Sequence, residues 1–458
     1  MKQEHKVMTS SRNIRLTRRA MLKQTAAAAG SVAAPLVVPA TVLGRDGGTA
    51  PSNRITVGSI GVGMMGRGHF RGFAGYPDVQ LLALSDVDPW RRNDSTKTLK
   101  EIYAERQPSG AFHGFKAYSD FRELLDRDDI DAVVIATGER WHPAISVRAA
   151  KAGKDIYCEK PISLTIRQAR TMVETVRRHN CVFQTGLQQR NSPEYLKAFE
   201  MVHSGRIGEV KLAYVSASSV SQYLNLPAQP LPEGLDWDMW LGPCPWHPYN
   251  YRYHHSGQPK NVVPWSCNRA FGAGALTSGL VHNLDSAHAG LRKDGGGPIE
   301  IKPAGIDGAP SLTFSYADDT QIICATRLEQ GKHFVPEGWD VKTPIVNFGV
   351  LFVGERGWVH VARYGLLDCY PKYLLDGDVS KAHSVEGNHR DWLNCIRTRR
   401  RPRADVEIGA SSTILSHLGC IALWTGRALK WDPVTEEFQD DREANALRSR
   451  ASRQPWNV

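Results

Sequence analysis

Three glycines and a carboxylate supply the first chemistry that can be read from the chain. The run Gly61-Val62-Gly63-Met64-Met65-Gly66 follows a short apolar stretch, Ile55 to Ile60, and precedes a helix-compatible segment reaching towards Phe73. In such a turn Gly61 allows the tight reversal from strand to helix, Gly63 lets the backbone approach a diphosphate, and Gly66 lets the helix pack closely on the strand. The N–H groups that open the helix, Met64 and Met65 among them, carry partial positive charge and suit phosphate oxygens. A glycine-rich turn is common on its own. Here a second apolar run, Val79 to Leu84, ends at Asp86, 25 positions beyond Gly61. A carboxylate there can accept from adenosine ribose hydroxyls and repels a 2′-phosphate. Together these features point to NAD, with NADP possible through Arg91 and Arg92 just downstream. The plainer reading of that arginine pair is two solvated helix residues.

The elements around the turn specify how it is held. Ser119 is a candidate helix cap before Phe121, and Asp131 to Ala136 is a continuous apolar run of the kind that forms a strand covered on both faces. Strands and helices alternate to about residue 180, which predicts a doubly wound parallel sheet, an α/β Rossmann domain spanning 52–180. Beyond Cys181 the runs Val210 to Ser216, Ser311 to Tyr316 and Gln321 to Thr326 alternate polar and apolar residues. They predict an α+β domain over 181–380 with a large, mainly antiparallel open sheet. One face of that sheet is free to be covered by a second subunit, so a homodimer or homotetramer is expected. A helical segment over 381–435 is expected to pack back near the first domain, leaving 436–458 as a tail.

Composition narrows the classes of function. With 458 residues and 41% hydrophobic content the chain can bury two cores. The net charge of +10 suggests nucleic acid at first sight, but seven cations and one acid lie within the first 44 residues, and the remainder carries only +4. The run Arg397 to Arg403 reads as a solvated turn. The eight cysteines form no CxxC pair and no metal-ligand spacing, so no metal is expected and isolated core thiols are the better reading than disulfides.

Residues Thr17-Arg18-Arg19-Ala20-Met21-Leu22-Lys23 are followed by an Ala-rich stretch from Thr25 to Leu43 that Gly30, Ser31, Pro35 and Pro39 interrupt. The order of basic, apolar and small residues resembles a twin-arginine export signal over 1–44, which predicts a periplasmic or otherwise exported enzyme. That route carries folded proteins, and so suits a protein that leaves with its nucleotide bound. No later segment reads as a membrane span.

At Ala136-Thr137-Gly138-Glu139-Arg140-Trp141-His142, and again at Cys158-Glu159-Lys160-Pro161, the chain resembles the Gfo/Idh/MocA oxidoreductases. Gly186 to Arg190 and a Gly-rich segment leading to His282 follow in the family's order, and the resemblance covers roughly 54–433. It implies an NAD(P)-dependent enzyme acting on a sugar, cyclitol or glycoside. Lys160 would stand near the nicotinamide and the substrate hydroxyl, and His282 would be the general base. Thr137, His142 and Glu159 would join the cofactor site, with Arg190, Asp285 and Trp265 on the substrate side. An ammonium beside the hydroxyl stabilises developing alkoxide charge, and an imidazole can take the proton near neutral pH.

Two positions depart from the family pattern. Ser278 stands four residues before His282, where Asp is common, so the base loses a carboxylate on its own helical face unless Asp285 takes over. Gly138-Glu139-Arg140 replaces a common Pro-Asn-His, and Arg140 is expected to pair with Glu139. An aromatic insertion containing Trp237, Trp240, Trp246, His247, Tyr249, Tyr251, Tyr253, His254, His255 and Trp265 offers faces for sugar C–H groups, or packs on itself or a second subunit. The wording Trp237-x-x-Trp240-Leu-Gly-Pro resembles exported bacterial members. Besides a simple dehydrogenase, two readings stand: redox-assisted glycoside cleavage that regenerates its own cofactor, and a cofactor-retaining saccharide-binding protein that has lost turnover.

Overall fold

The computed structural model describes residues 49–106, 114–256, 265–304, 311–375 and 386–458; residues 1–44, expected to be an export signal, lie outside them. The apolar runs form β1 (Ile55–Ile60), β2 (Val79–Ser85), β3 (Lys116–Tyr118), β4 (Ala132–Ile135), β5 (Asp155–Cys158) and β6 (Phe183–Thr185). They pair in parallel in the order β3-β2-β1-β4-β5-β6. Every residue of β4 and β5 is buried, as expected for strands covered on both faces. The sixth strand lies past residue 180, so the first domain runs further than the sequence pattern suggested. The first turn of Phe121–Leu125 is capped by Asp120, which accepts from the Arg122 N–H at 2.9 Å, and not by Ser119.

A second sheet holds β7 (Val210–Val215), β8 (Glu300–Ala304), β9 (Ser311–Ser315), β10 (Gln321–Cys324), β11 (Val350–Gly354), β12 (Gly357–Ala362), β13 (Leu366–Tyr370), β14 (Leu429–Asp432) and β15 (Glu437–Phe438). Its order is β13-β12-β11-β7-β10-β9-β8-β14-β15, antiparallel throughout except for the β7–β10 pair. One face is buried by this chain, and the other is buried over β7, β11 and β12 but stays partly exposed at Lys302, Thr313, Gln321 and Ile323. The first packs on the helices Pro193–His203, Val281–Gly290 and Val406–Thr425. The other, bearing Tyr214, Leu351, Val353 and Trp358, is covered by Ala325, Leu328, Trp339 and Ile345 from the excursion between β10 and β11. Trp339 meets Trp358 edge-on at 5.1 Å. Over those three strands the face expected to meet a second subunit is covered from within, while the edge formed by β8, β9 and β10 is left open.

The helix Val406–Thr425 is long and apolar enough to cross a membrane, which the sequence reading had not credited to any segment beyond the leader. Its composition has another cause: it packs against β6, β8 and the helices Ile166–Arg178 and Val281–Gly290, so it is apolar because protein surrounds it. Gly409 and Gly419 let it approach Thr185 of the first sheet and Leu312 of the second.

The arginine run is not a free turn. Arg397 reaches Asp78 at 2.7 Å and Arg399 reaches Asp155 at 2.5 Å, pinning the end of helix Asn388–Thr398 to the first domain. All eight cysteines are unpaired thiols. Residues 436–458 are no loose tail either. Beyond β15 and the helix Arg442–Ala446, Trp456 is buried 4.7 Å from Trp141, with the Arg122 and Arg148 guanidiniums over its ring at 5.2 and 5.4 Å. Trp456→Ala is expected to cost about 3 kcal/mol or more by opening a cavity against the first domain, read as a lower midpoint in thermal or urea unfolding. An unchanged midpoint would mean that the terminal segment does not hold the domains.

Candidate active site

The glycine turn lies at the carboxyl end of β1 beside β4, where the strand order reverses, the usual position for a ligand crevice in such a sheet. Gly61 has φ 82°, and a Cβ there would crowd the Ala136 carbonyl at 2.9 Å. A Cβ on Gly66 would overlap the Gly61 oxygen. Gly63 begins the helix Met64–Ala74 with no side chain capping its first turn, and Met64 and Met65 beside it are 79% and 48% exposed. Asp86 accepts from the Val62 N–H at 2.9 Å and the Asp88 N–H at 3.0 Å, which fixes the carboxylate at the end of β2. Arg91 lies 3.7 Å from Asp88 and Arg92 donates to the Asp86 carbonyl at 2.5 Å, so both arginines belong to this turn and are not merely solvated. A close-packed glycine turn, an uncapped helix start and a fixed carboxylate fit a dinucleotide.

Other expected cofactor residues turn out to be braces. His142 is buried, with its ring nitrogens on the Pro161 carbonyl at 2.7 Å and the Thr137 carbonyl at 3.1 Å; both are spoken for within the protein. Thr137 sets its methyl against Gly61. Glu159 is buried, and its Oε1 meets His69 at 2.8 Å and Gln188 at 3.3 Å, while Oε2 accepts from the Lys160 N–H at 3.2 Å. Burial alone would raise its pKa, but the His69 bond and the charges of His69 and Lys160 outweigh it and hold the carboxyl down at about 2. A Cβ on Gly186 would overlap this carboxylate.

Lys160 and His282 come together across the two domains. Lys160 Nζ donates to the Ser278 carbonyl at 2.6 Å. It is therefore the backbone of Ser278, and not its hydroxyl, that meets the lysine. Burial pulls the ammonium below the usual lysine range, against the opposing pull of Glu159 and Glu139. His282 is buried on Val281–Gly290; burial, then the Lys160 and Arg363 cations, push its imidazole well below the usual histidine range. Its Nε2 lies 3.3 Å from Arg363 Nη2, and its Nδ1 lies 2.9 Å from the Gln189 amide nitrogen in the orientation that satisfies that amide, whose oxygen then accepts from Arg363 Nε and Nη2 at 3.1 Å. The Phe348 ring stands edge-on to His282 at 5.5 Å and beneath the Arg363 guanidinium at 3.8 Å.

Arg190 and Asp285 pair with each other. Arg190 Nε bonds both Asp285 oxygens at 2.9 and 3.0 Å, its two terminal nitrogens bond Asp294 at 2.7 Å, and Ser412 completes Asp285 at 2.7 Å. The carboxylate is consumed as a strut and gives His282 no partner. Nor does Arg140 pair with Glu139. Arg140 donates to the Trp240 carbonyl at 2.8 Å and lies 3.9 Å over the Trp240 ring and 5.2 Å from that of half-buried Trp265. Glu139 Oε1 accepts from the Ala273 N–H at 2.7 Å, and burial pushes this carboxyl up to about 7. The aromatic insertion packs mostly on itself: Trp237 stacks on Trp240 at 4.4 Å, Tyr249 and Tyr253 are buried, and His254 reaches Asp88 at 3.0 Å. Trp246 and Tyr251 stay exposed.

Arg363 and Phe348 were missed from sequence. Gln189 lay unnoticed within the Gly186 to Arg190 landmark, whereas nothing local marks Arg363, which follows β12 and sits 81 positions from His282. Among the described residues no cluster of His, Cys, Asp and Glu is placed to hold a metal ion.

Comparisons with known proteins agree with this geometry. The family model described as "Oxidoreductase family, NAD-binding Rossmann fold" matches residues 55–187, and its companion, "Oxidoreductase family, C-terminal alpha/beta domain", matches 214–341 and 374–458. Myo-inositol 2-dehydrogenase of Thermotoga maritima is 31% identical over 33% of this chain and 42% of its own. A glycosyl hydrolase family 109 protein of Shewanella pealeana is 31% identical over 34% of this chain and 33% of its own. The match thus spans between a third and a half of the curated relatives. The structure of scyllo-inositol dehydrogenase from Lactobacillus casei, with bound NAD(H) and scyllo-inositol, aligns over 82% of this chain and 99% of its own at 17% identity and a TM-score of 0.52, a likeness of fold.

The two shifted groups set a pH profile. If neutral His282 takes a proton and charged Lys160 stabilises the product anion, a depressed imidazole pKa moves the acidic limb of kcat/KM below the ordinary histidine value of 6.5. The depressed ammonium moves the alkaline limb below the ordinary lysine value of 10.5, since the active charged form is lost as pH rises. An acidic limb at or above 6.5 would remove His282 as the base.

Proposed function

The chain belongs to the Gfo/Idh/MocA family of NAD-binding oxidoreductases, and from that premise we propose that it oxidises a secondary hydroxyl of a sugar, cyclitol or glycoside with tightly bound NAD. The observation that carries the reading is the meeting of Lys160, from the nucleotide-binding sheet, with the carbonyl of Ser278, four residues before His282. Bound in the crevice of that sheet, NAD supplies the ring that accepts a hydride. Neutral His282 receives the hydroxyl proton, and the Lys160 ammonium stabilises the oxygen as it gains charge. With Ser278 in place of a carboxylate, Gln189 meets Nδ1 of the imidazole and adds no charge, so His282 stays neutral at neutral pH.

A second reading, transient ring oxidation followed by elimination of the glycosidic group and return of the hydride, is supported by the similarity to glycosyl hydrolase family 109 proteins. A cycle that restores its own cofactor also suits an exported protein. We read residues 1–44 as a twin-arginine signal on the strength of Arg18-Arg19 and the Ala-rich stretch behind them. Expressed in a bacterial host, the protein is expected in the periplasm, and Arg18→Lys with Arg19→Lys should hold it in the cytoplasm; an unchanged distribution would remove that assignment.

The test of the chemistry is an absorbance scan of the purified protein for copurifying nicotinamide, followed by a panel of sugars, cyclitols and glycosides. Lasting reduction marks a dehydrogenase, and product release without net reduction marks the self-returning cycle. Lys160→Met is expected to lower turnover by about 100-fold or more with the nucleotide still bound. If the wild type binds saccharides but turns over none, the reading gives way to a cofactor-bound binding protein.

A further inference from the structure

We propose that the substrate is a sugar acid, its carboxylate received by Arg363 beside His282. The inference rests on the oxidoreductase reading of this site and narrows its substrate to uronates, aldonates or their glycosides. Its basis is an imbalance of charge. Two arginines stand near His282, and they are treated differently. Arg190 is saturated by Asp285 and Asp294. Arg363 is half-buried and loses pKa to desolvation, yet among the described residues no carboxylate reaches it, and none reaches Lys160 either. The position four residues before His282, where family members commonly carry Asp, holds Ser278. Lys160 and Arg363 thus both stand beside a neutral imidazole, and the buried carboxylates Glu159 and Glu139 act on them only at a distance, without an ion pair among the described residues. A charge withdrawn from water is costly until it is paired, and a guanidinium pairs best with a carboxylate in bidentate geometry.

The guanidinium is also aimed. Its flat face rests on Phe348 at 3.8 Å, and that ring is set by a loop in which Phe348 adopts φ 64°. The Nε–Nη2 side grips the Gln189 oxygen at 3.1 Å. That leaves Nη1, which has no partner among the described residues, and the second hydrogen of Nη2, which points at His282 Nε2 from 3.3 Å. Those two donors form the other edge of the guanidinium fork, the one that takes a carboxylate end-on. A carboxylate binds that edge more strongly than a neutral hydroxyl does. The acid group would thus anchor the sugar beside His282.

The test uses the nucleotide-bound protein as purified. Calorimetric titration compares D-glucuronate and D-galacturonate with D-glucose and D-galactose, while nicotinamide absorbance is followed in parallel. The acids are expected to bind about tenfold or more tightly than their neutral parents, the scale of a charged hydrogen bond. Arg363→Met should abolish that difference and Arg363→Lys should restore part of it, with thermal unfolding checking that each variant is folded. Equal binding of acids and neutral parents to the wild type, a comparison that needs no variant, overturns the proposal, and so does a preference that survives in folded Arg363→Met. The two readings fail separately. Acids that bind through Arg363 without ever changing the nucleotide spectrum leave this site standing and remove the oxidoreductase. Neutral sugars that reduce the nucleotide while acids bind no better do the reverse.

Discussion

A carboxylate kept out of water organises this molecule. Glu159 ends β5 at the floor of the crevice, where an unpaired charge would cost several kcal/mol. It is held by His69 from the helix that follows the glycine turn, by Gln188 from the segment after β6, and by the N–H of Lys160. His69 in turn meets His389, at the start of helix Asn388–Thr398, at 2.7 Å. Satisfying one charge thus ties four parts of the chain together beneath the lysine that handles the substrate. The bare Cα of Gly186 makes room for it. His389 is driven down to about 3 by burial and the neighbouring His69, so it stays neutral and passes its hydrogen bond inward without adding charge.

The same economy of charge extends across the cleft. The helix Val406–Thr425 contributes Ser412 to Asp285, whose partner Arg190 sits in the segment after β6, so the join between the sheets carries a fully satisfied polar core. Buried ion pairs of this kind contribute little net stability and much specificity of arrangement when every donor is used. Against that background Lys160 and Arg363 form no ion pair among the described residues and feel the buried Glu159 only at a distance. They approach His282 from different domains, one from the end of β5 and the other from the turn after β12.

The aromatic insertion contributes enclosure. Arg140 lies against Trp240, the stacked pair Trp237 and Trp240 meets Tyr249 and Phe271 edge-on, and His254 with Ser256 closes on Asp88, whose N–H bonds Asp86. These rings cover the crevice by packing among themselves, which answers the choice left open by composition. A loop rich in Trp and Tyr reads equally well as a sugar platform or as its own core, because the rings serve both by the same burial of apolar area.

Much of the architecture was legible because it is written in short windows. Glycine spacing fixes a turn, residue alternation fixes which face of a strand is buried, and Asp86 follows from the length of one strand-helix-strand unit. Those signals placed β1, β2 and β4, and the family likeness brought Lys160 and His282 into view. They did not disclose that His142, Arg190 and Asp285, whose residue types suit a ligand, also find partners inside the protein. They also misjudged the helix Val406–Thr425 and Trp456, where hydrophobicity records a neighbour and not a membrane or a tail. What only the tertiary structure decided is partnership. His69 and His389 touch from 320 positions apart, and Arg363 reaches His282 from 81. Local sequence fixes backbone shape through sterics acting over a few residues, whereas the charge state and role of a side chain depend on what the folded chain brings within a few ångströms of it.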